Sequence, residues 1–217
     1  MSIPAFLENK LSLPVIAAPL FIISHPPLTL AQCLAGVIGA FPALNARPKE
    51  QLDDWLAELT EKLAAAQAAE PKRRIAPYAV NQIVHASNTR LDHDVRMCVK
   101  YKVPIVITSL RPPAEVVSAV HSYGGLVFHD VINLRHAQKA AEQGVDGLIA
   151  VCAGAGGHAL GDALVDDGRV VDGEAVSVLE DCSAQFERRA ADALDADADG
   201  HVGPVIAFTH IGDLDRG

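Results

Sequence analysis

One stretch of the sequence places a histidine directly after a run of small residues. An apolar run of strand length, residues 148–152, is followed at residues 153–157 by alanine and glycine only. Small residues permit positive φ angles and let a flat ring or a phosphate approach the backbone N–H groups. His158 comes next, and histidine has the side-chain pKa nearest neutrality. The pattern indicates a ligand-binding loop with a proton-transfer residue at its mouth, and a simple tight turn after the strand is the alternative.

The chain before His158 repeats a unit of one strand and one helix. Apolar runs predict strands at residues 14–19, 37–41, 75–80, 103–108, 126–128 and 148–152. The clearest intervening helix carries an apolar stripe formed by Leu52, Trp55, Leu56, Leu59 and Leu63. Parallel strands need helical crossovers, and strands that are apolar on both faces are covered on both sides. The sequence therefore predicts an α/β protein with a parallel sheet, either closed as a barrel or doubly wound.

Residues with turn and capping propensity mark where the helices begin and end. Thr29 is the predicted N-cap of the first helix, and Gly36 is predicted to follow its last turn with a positive φ. Pro48 is predicted in the first turn of the second helix, and Asn133 is the predicted N-cap of the fifth.

Polar residues follow several of these strands where each strand ends. In parallel α/β folds the site lies at the carboxyl ends of the strands, so these side chains converge if the sheet closes. The residues concerned are Ser24, His25, Asn81, Gln82, Ser109, His129, Asp130 and His158.

Five segments in order resemble the nitronate monooxygenase family, formerly called 2-nitropropane dioxygenases. They lie between residues 14 and 158, at residues 18–20 (Ala-Pro-Leu), 39–45 (Gly-Ala-Phe-Pro-Ala-Leu-Asn), 79–81 (Ala-Val-Asn), 127–131 (Val-Phe-His-Asp-Val) and 153–158 (Ala-Gly-Ala-Gly-Gly-His). The last segment is the most specific. The resemblance implies an FMN-dependent (β/α)8 TIM-type barrel that oxidises alkyl nitronates or nitroalkanes with molecular oxygen, without a metal and without a nicotinamide.

The resemblance also implies roles for individual residues. It makes His158 the catalytic base or substrate-orienting group, and Asn81 a contact of the flavin. The other implied cofactor-binding residues are Ala18, Pro19 and Leu20 beneath the ring system, together with His129, Gly156 and Gly157. For Asn81 a turn role is the alternative, and for His129 a hydrogen bond to a neighbouring loop.

The sequence departs from the family pattern after residue 158. The net charge is +1 through His158 and −10 from Ala159 onward, within a total of −9. The glycine motifs that hold the FMN phosphate in the last two β/α units are not recognisable, although residues 205–208 have the pattern of a substitute strand. We therefore predict an incomplete barrel of six recognisable β/α strands at residues 1–158, followed by a divergent acidic tail of irregular structure at residues 159–217.

This departure leaves a second class of function open. The chain is alternatively a truncated, non-catalytic flavin-barrel remnant, or a module that binds a partner or a second copy of itself through an open sheet edge. A related flavin enzyme such as an enoyl reductase is a third reading, which would require a nicotinamide.

Composition excludes several other classes. No apolar run approaches the roughly 18 residues of a membrane span, and the first ten residues lack a secretory pattern, so we expect a cytoplasmic protein. The four cysteines include no Cys-x-x-Cys pair, which argues against a zinc site and a disulfide framework. No basic patch with aromatic residues indicates nucleic-acid binding.

Overall fold

The computed structural model describes residues 7–111, 113–132 and 134–151, with the backbone of residues 206 and 207. The helices are α1 (Pro26–Leu34), α2 (Gln51–Ala69), α3 (Leu91–Lys100), α4 (Ala114–His121) and α5 (Leu134–Glu142). The strands are β1 (Gly39–Pro42), β2 (Tyr78–Val84), β3 (Ile105–Leu110), β4 (Leu126–Val131), β5 (Gly147–Ala150) and β6 (Ile206–Ala207). A short 3-10 helix, Ala43–Asn45, follows β1.

The strands form one parallel sheet in sequence order, from β1 to β6. A helix connects each strand to the next from β1 to β5, as the sequence predicts for a TIM-type α/β fold. The predicted substitute strand at residues 205–208 corresponds to β6, which pairs with β5 at Ile149 and Ala150. The rest of the predicted tail, from residue 159, lies outside the described residues, so the proposed division at residue 158 stays a prediction.

The first predicted strand, at residues 14–19, is reduced to a single bridge. Ile16 pairs in parallel with Ile38, supported by backbone hydrogen bonds from Ala17 N to Ile38 O and from Ile38 N to Val15 O. The prolines at both ends of this segment have no N–H to donate, which limits the ladder to its centre.

Prolines also explain why two other strands begin later than predicted. β2 begins at Tyr78, immediately after Pro77, and β3 begins at Ile105, immediately after Pro104. Both strands then run farther than predicted, to Val84 and Leu110. Asn81 therefore lies inside β2 instead of at its end.

The two faces of the sheet pack against different partners. On the outer face, Val80, Val106 and Val127 join one buried cluster with helix residues such as Leu56 and Cys98. The opposite face forms a separate cluster that contains no residue of α1 to α5 and includes Ala40, Ala79, Ile107, Phe128 and Ile149. We call this second side the inner face, since it corresponds to the interior of a barrel.

The amino-terminal segment covers one end of the inner face. Leu7 is buried in the inner cluster together with Ala76, which precedes β2. Leu11 packs against the same cluster. The amino ends of the strands are thus covered by apolar side chains, and polar side chains of the inner face lie nearer the carboxyl ends.

The helix ends agree only partly with the sequence. Gly36 follows α1 with φ +80°, as predicted. The prediction for Thr29 is wrong, because α1 begins at Pro26 and the buried Thr29 Oγ1 caps nothing. Pro48 precedes α2 instead of entering its first turn, since that helix begins at Gln51. Asn133 lies outside the described residues.

Candidate active site at the carboxyl ends of the strands

Three polar side chains from adjacent strands form a hydrogen-bonded row on the inner face. Asn81 of β2 donates from Nδ2 to Ser109 Oγ of β3 at 2.9 Å. Ser109 donates in turn from Oγ to Asp130 Oδ2 of β4 at 2.6 Å. We call Asn81, Ser109 and Asp130 the polar row.

Strand periodicity explains why these three residues share a face. Each lies two positions after an inner-face apolar residue, because Ala79, Ile107 and Phe128 belong to the inner cluster. Side chains two positions apart in a strand point to the same side of the sheet. The polar row therefore lies one layer above an apolar floor, nearer the carboxyl edge.

Asn81 uses both of its amide protons within the protein. Its Nδ2 donates to Ser109 Oγ and, at 3.4 Å, to the carbonyl oxygen of Ile107. Among the described residues nothing donates to Asn81 Oδ1, and this oxygen is not one of the buried side-chain atoms that lack a partner. The residue is 6% exposed overall, so what Asn81 offers a ligand is one acceptor oxygen.

Asp130 is the titratable member of the row. Burial raises the pKa of its carboxyl to about 6, and the hydrogen bond from Ser109 lowers it in part. A carboxyl with a pKa near the working pH can accept and return a proton, which suits general acid–base chemistry. The row thus combines a hydrogen-bond acceptor with a proton-holding group.

His129 lies on the other face of β4. It is 3% exposed, and its Nδ1 is 2.8 Å from Thr108 Oγ1 on the neighbouring strand. Burial, followed by the nearby His136, lowers the pKa of His129 to about 4, which keeps the imidazole neutral at pH 7. The structure therefore does not bring His129 together with Asn81.

Gln82 also points away from the polar row. Its Nε2 donates to Cys98 Sγ of α3 at 3.4 Å, and its Oε1 is buried without a partner. Of the two polar residues predicted at this strand end, only Asn81 reaches the inner face.

Asn45 fixes the loop that carries Ala18, Pro19 and Leu20. Its Nδ2 donates to the carbonyl oxygens of Leu20 and Ser24 at 3.0 and 2.9 Å, and its Oδ1 accepts from Ile22 N at 3.1 Å. Ser24 Oγ accepts from Leu20 N at 2.9 Å. Both backbone groups of Leu20 are consequently occupied.

The side chains of this loop remain accessible. Ala18 is exposed, and Pro19 and Leu20 are partly exposed. The loop follows Ile16, which pairs beside β1, so it lies at the carboxyl edge of the sheet. A rigid backbone with small or apolar side chains at this edge is compatible with the predicted contact with a flat ring.

His25 belongs to the support of this loop. It is hydrogen-bonded through Nε2 to Ile22 O, and its ring meets Trp55 edge-on with centroids 5.1 Å apart. These contacts account for His25 structurally.

A buried ion pair anchors the neighbouring loop after β1. Arg90 binds both carboxylate oxygens of Asp94, which is fully buried, at 2.8 and 3.0 Å. The same guanidinium donates to the carbonyl oxygens of Ala46 and Ala43 at 2.7 and 3.2 Å. Asn45 lies between these two carbonyls, so α3 holds the segment that in turn holds the loop of Leu20.

The remaining predicted site residues, Gly156, Gly157 and His158, lie outside the described residues. Within the described part of the chain, no cluster of three or more metal-binding side chains occurs. Cys33 and Cys98 are buried free thiols, and burial raises the pKa of Cys33 to about 11. No helix in the same part is long and apolar enough to cross a membrane.

Comparison with known proteins identifies the fold but no family. No protein-family model matches the chain, and neither does any curated protein. FabK from Thermotoga maritima is similar in structure, with 20% identity, a TM-score of 0.62 and coverage of 92% of this chain and 51% of FabK. Nitroalkane oxidase from Streptomyces ansochromogenes has 20% identity, a TM-score of 0.59 and coverage of 93% and 59%.

The same fold also occurs in a protein with different chemistry. Ribulose-1,5-bisphosphate carboxylase/oxygenase from Pyrococcus horikoshii matches with 12% identity and a TM-score of 0.53, over 89% of this chain and 47% of its own. These structural similarities confirm that the fold of this chain is of the TIM-barrel class. The chain spans about half the length of FabK.

Two members of the polar row received no role from the sequence. The sequence identifies Ser109 and Asp130 only as polar residues at strand ends. A pattern connects them, since Asn81, Ser109 and Asp130 each follow an apolar residue by two positions. That pattern becomes informative only when the register of the three strands is known.

Proposed function

We propose that this chain is the carrier of an FMN-dependent oxidoreductase site that acts on alkyl nitronates or nitroalkanes with molecular oxygen. The observation that carries the proposal is the polar row above an apolar floor, at the carboxyl edge of the sheet where TIM-type enzymes hold their substrates. The similarity in fold between this chain and a nitroalkane oxidase supports nitronates and nitroalkanes as the substrate class.

The described residues fit one part of a flavin. The ring system of FMN is flat and has a polar edge with an N–H group between two carbonyl oxygens. Asn81 Oδ1 offers an acceptor to such an edge, and the buried side chains of Ile107 and Phe128 form the apolar layer beneath it. Ala18, Pro19 and Leu20 would add further flat contact, and the backbone of Gly156 and Gly157 would approach the cofactor closely.

The chemistry divides between the cofactor and the protein. FMN, when bound, supplies the two-electron redox step. His158 would take the proton from the carbon beside the nitro group and then stabilise the negative charge on the nitro oxygens as imidazolium. Asp130, which is mainly ionised at pH 7 because its pKa is about 6, would be able to accept a second proton near the carboxyl edge. Asn81 would orient the ring.

The direct test measures flavin binding and turnover on the full chain. Titration of the purified protein with FMN, followed by oxygen consumption with ethyl nitronate and with neutral nitroethane, should show binding and turnover of both substrates. His158→Asn should slow the neutral nitroalkane by about 10²- to 10⁴-fold and the nitronate less, because the nitronate has already lost its proton. Equal losses on both substrates would make His158 a binding residue instead of a base.

The non-catalytic alternative has its own supporting observation. The chain spans about half of FabK, so part of a site built like that of FabK would lie in the half that this chain does not match. FMN binding without any oxygen consumption would favour this alternative. If the chain instead binds a partner through an open sheet edge, that edge is formed by β6, which pairs with β5 at Ile149 and Ala150. Light scattering on the purified chain would detect a homo-oligomer.

FabK, an enoyl reductase, supports a third outcome of the same experiment. Turnover that requires a reduced nicotinamide and an enoyl thioester, with no response to nitronate, would replace the proposed substrate. The cytoplasmic location stays a prediction.

A further inference from the structure

The direction of the hydrogen bonds in the polar row follows from its chemistry. An ionised carboxylate only accepts hydrogen bonds, so the single O–H group of Ser109 must donate its hydrogen bond to Asp130. Ser109 Oγ can then only accept from Asn81, which requires the Nδ2 end of the amide to face Ser109. The 2.6 Å bond to Asp130 has the length typical of an O–H group bound to a carboxylate.

We propose that Ser109 and Asp130 are positioning residues that hold the Asn81 amide in one orientation, with Oδ1 directed toward the space above the inner face. In this orientation the site selects a ligand whose edge donates an N–H group to Asn81 Oδ1. The proposal rests on the proposed flavin function for the identity of that ligand. The orientation of the amide does not rest on it, because it follows from the protein's own bonds.

The two positioning residues affect Asn81 in different ways. Ser109→Ala removes the acceptor at 2.9 Å and leaves Nδ2 with the 3.4 Å contact to Ile107 O only, so the amide is free to turn over. Asp130→Asn keeps the side-chain shape but adds a donor. With a donor at this position, Ser109 Oγ can accept a hydrogen bond from residue 130 and donate its own to Asn81 Oδ1. Either orientation of the Asn81 amide is then allowed.

Thr108 supplies a matched control on the same strand. Its hydroxyl is also buried and also bonded to a β4 side chain, but on the outer face, where it meets His129. Thr108→Val removes a hydroxyl from β3 without touching the polar row. Ser109→Thr keeps the hydroxyl and serves as the conservative rescue.

The first experiment needs no ligand. In ¹⁵N NMR spectra of the full chain, the side-chain amide of Asn81, assigned by its absence in Asn81→Ala, should exchange slowly with solvent. Exchange should accelerate at least tenfold in Ser109→Ala and Asp130→Asn, and stay unchanged in Ser109→Thr and Thr108→Val. Unchanged exchange in Ser109→Ala would overturn the proposed lock.

The second experiment tests the selection of the ligand. The probes are FMN and its N3-methyl derivative, which lacks the ring N–H, and the readout is the ratio of their dissociation constants from fluorescence titration. An acceptor left unpaired in a mostly buried site should favour FMN by about 10-fold or more in the wild-type chain. The ratio should fall at least threefold in Ser109→Ala and Asp130→Asn and persist in both control variants.

The possible failures can be told apart. A ratio that is the same in all variants would overturn the role of Ser109 and Asp130 in selection, although flavin binds. Failure of the wild-type chain to bind either flavin would overturn the proposed function and with it the N–H selection, whereas the NMR experiment would still decide whether the amide is locked.

Discussion

Two adjacent residues of β4 should give opposite contributions to the pH dependence of stability. His129 on the outer face has its pKa lowered to about 4, and Asp130 on the inner face has its pKa raised to about 6. Burial is the main cause of both shifts, because it disfavours whichever form is charged. The variants His129→Gln and Asp130→Asn separate the two contributions.

The sign for His129 follows from which state binds the proton first. The unfolded chain protonates at its ordinary pKa of 6.5, whereas the folded chain resists protonation until about pH 4. Acidification through this window therefore favours unfolding. The shift corresponds to at most about 3 kcal/mol of stability, present above pH 6.5 and lost as the pH falls to 4.

The sign for Asp130 is the reverse. The folded chain binds this proton near pH 6, and the unfolded chain binds it only near 3.8. Acidification from pH 6 to about 4 therefore favours folding, by at most about 3 kcal/mol. Between these values the two residues oppose each other, and their contributions largely cancel in the wild-type chain.

Urea unfolding of the full chain at several pH values between 4.5 and 7 measures the balance. Relative to wild type, His129→Gln should gain stability as the pH falls, and Asp130→Asn should lose it. Taking differences from wild type removes the contribution of all other carboxylates. Two variants whose stability changes in parallel with wild type across this range would refute the two opposite pKa shifts.

Two further predictions concern the supports of the fold. Arg90→Ala should lower the free energy of unfolding by about 3 to 5 kcal/mol, because it leaves the buried carboxylate of Asp94 without its cationic partner. The double variant Arg90→Ala/Asp94→Ala should recover part of that loss. A double variant that is less stable than Arg90→Ala in urea unfolding would contradict this reasoning. Gly36→Ala should destabilise more than Gly124→Ala, because both glycines have φ near +80° but only at Gly36 would a Cβ meet another group, Ser12 Oγ at 2.2 Å. Equal shifts in thermal midpoint for the two alanine variants would mean that the contact at Ser12 is relieved without cost.

The sequence predicts the order of the elements because that order depends on local patterns. The apolar stripe of α2 is confirmed, with Leu52, Leu56 and Leu59 fully buried, and the five main strands occur in the predicted order. Strand limits were predicted less well, since Pro77 and Pro104 fall within predicted strands and the observed strands begin after them. A proline interrupts a strand only where its missing N–H would have bonded to a neighbouring strand, and the sequence does not show which neighbour that is.

The faces of the strands could not be read from the sequence. In a half-exposed strand, polar and apolar residues alternate, but a strand buried on both faces is apolar throughout and gives no parity. At the end of β4 the two polar residues His129 and Asp130 were equally eligible for the site. Only the packing of Phe128 on the inner side and Val127 on the outer side separates them.

The fold by itself does not determine the chemistry, since a carboxylase and a nitroalkane oxidase share it with this chain. What distinguishes the site is therefore the set of inner-face side chains near the carboxyl edge and the bonds that fix them. Here each asparagine of the site has its orientation set by the protein: Asn45 is fixed by three backbone groups, and Asn81 by Ser109 and Ile107 O. An amide that is already oriented loses little entropy when a ligand binds. The part of the site that the structure describes is thus preorganised by hydrogen bonds within the described residues. The preference of Asn81 for a ligand that donates an N–H group can therefore be tested before the role of His158 is known.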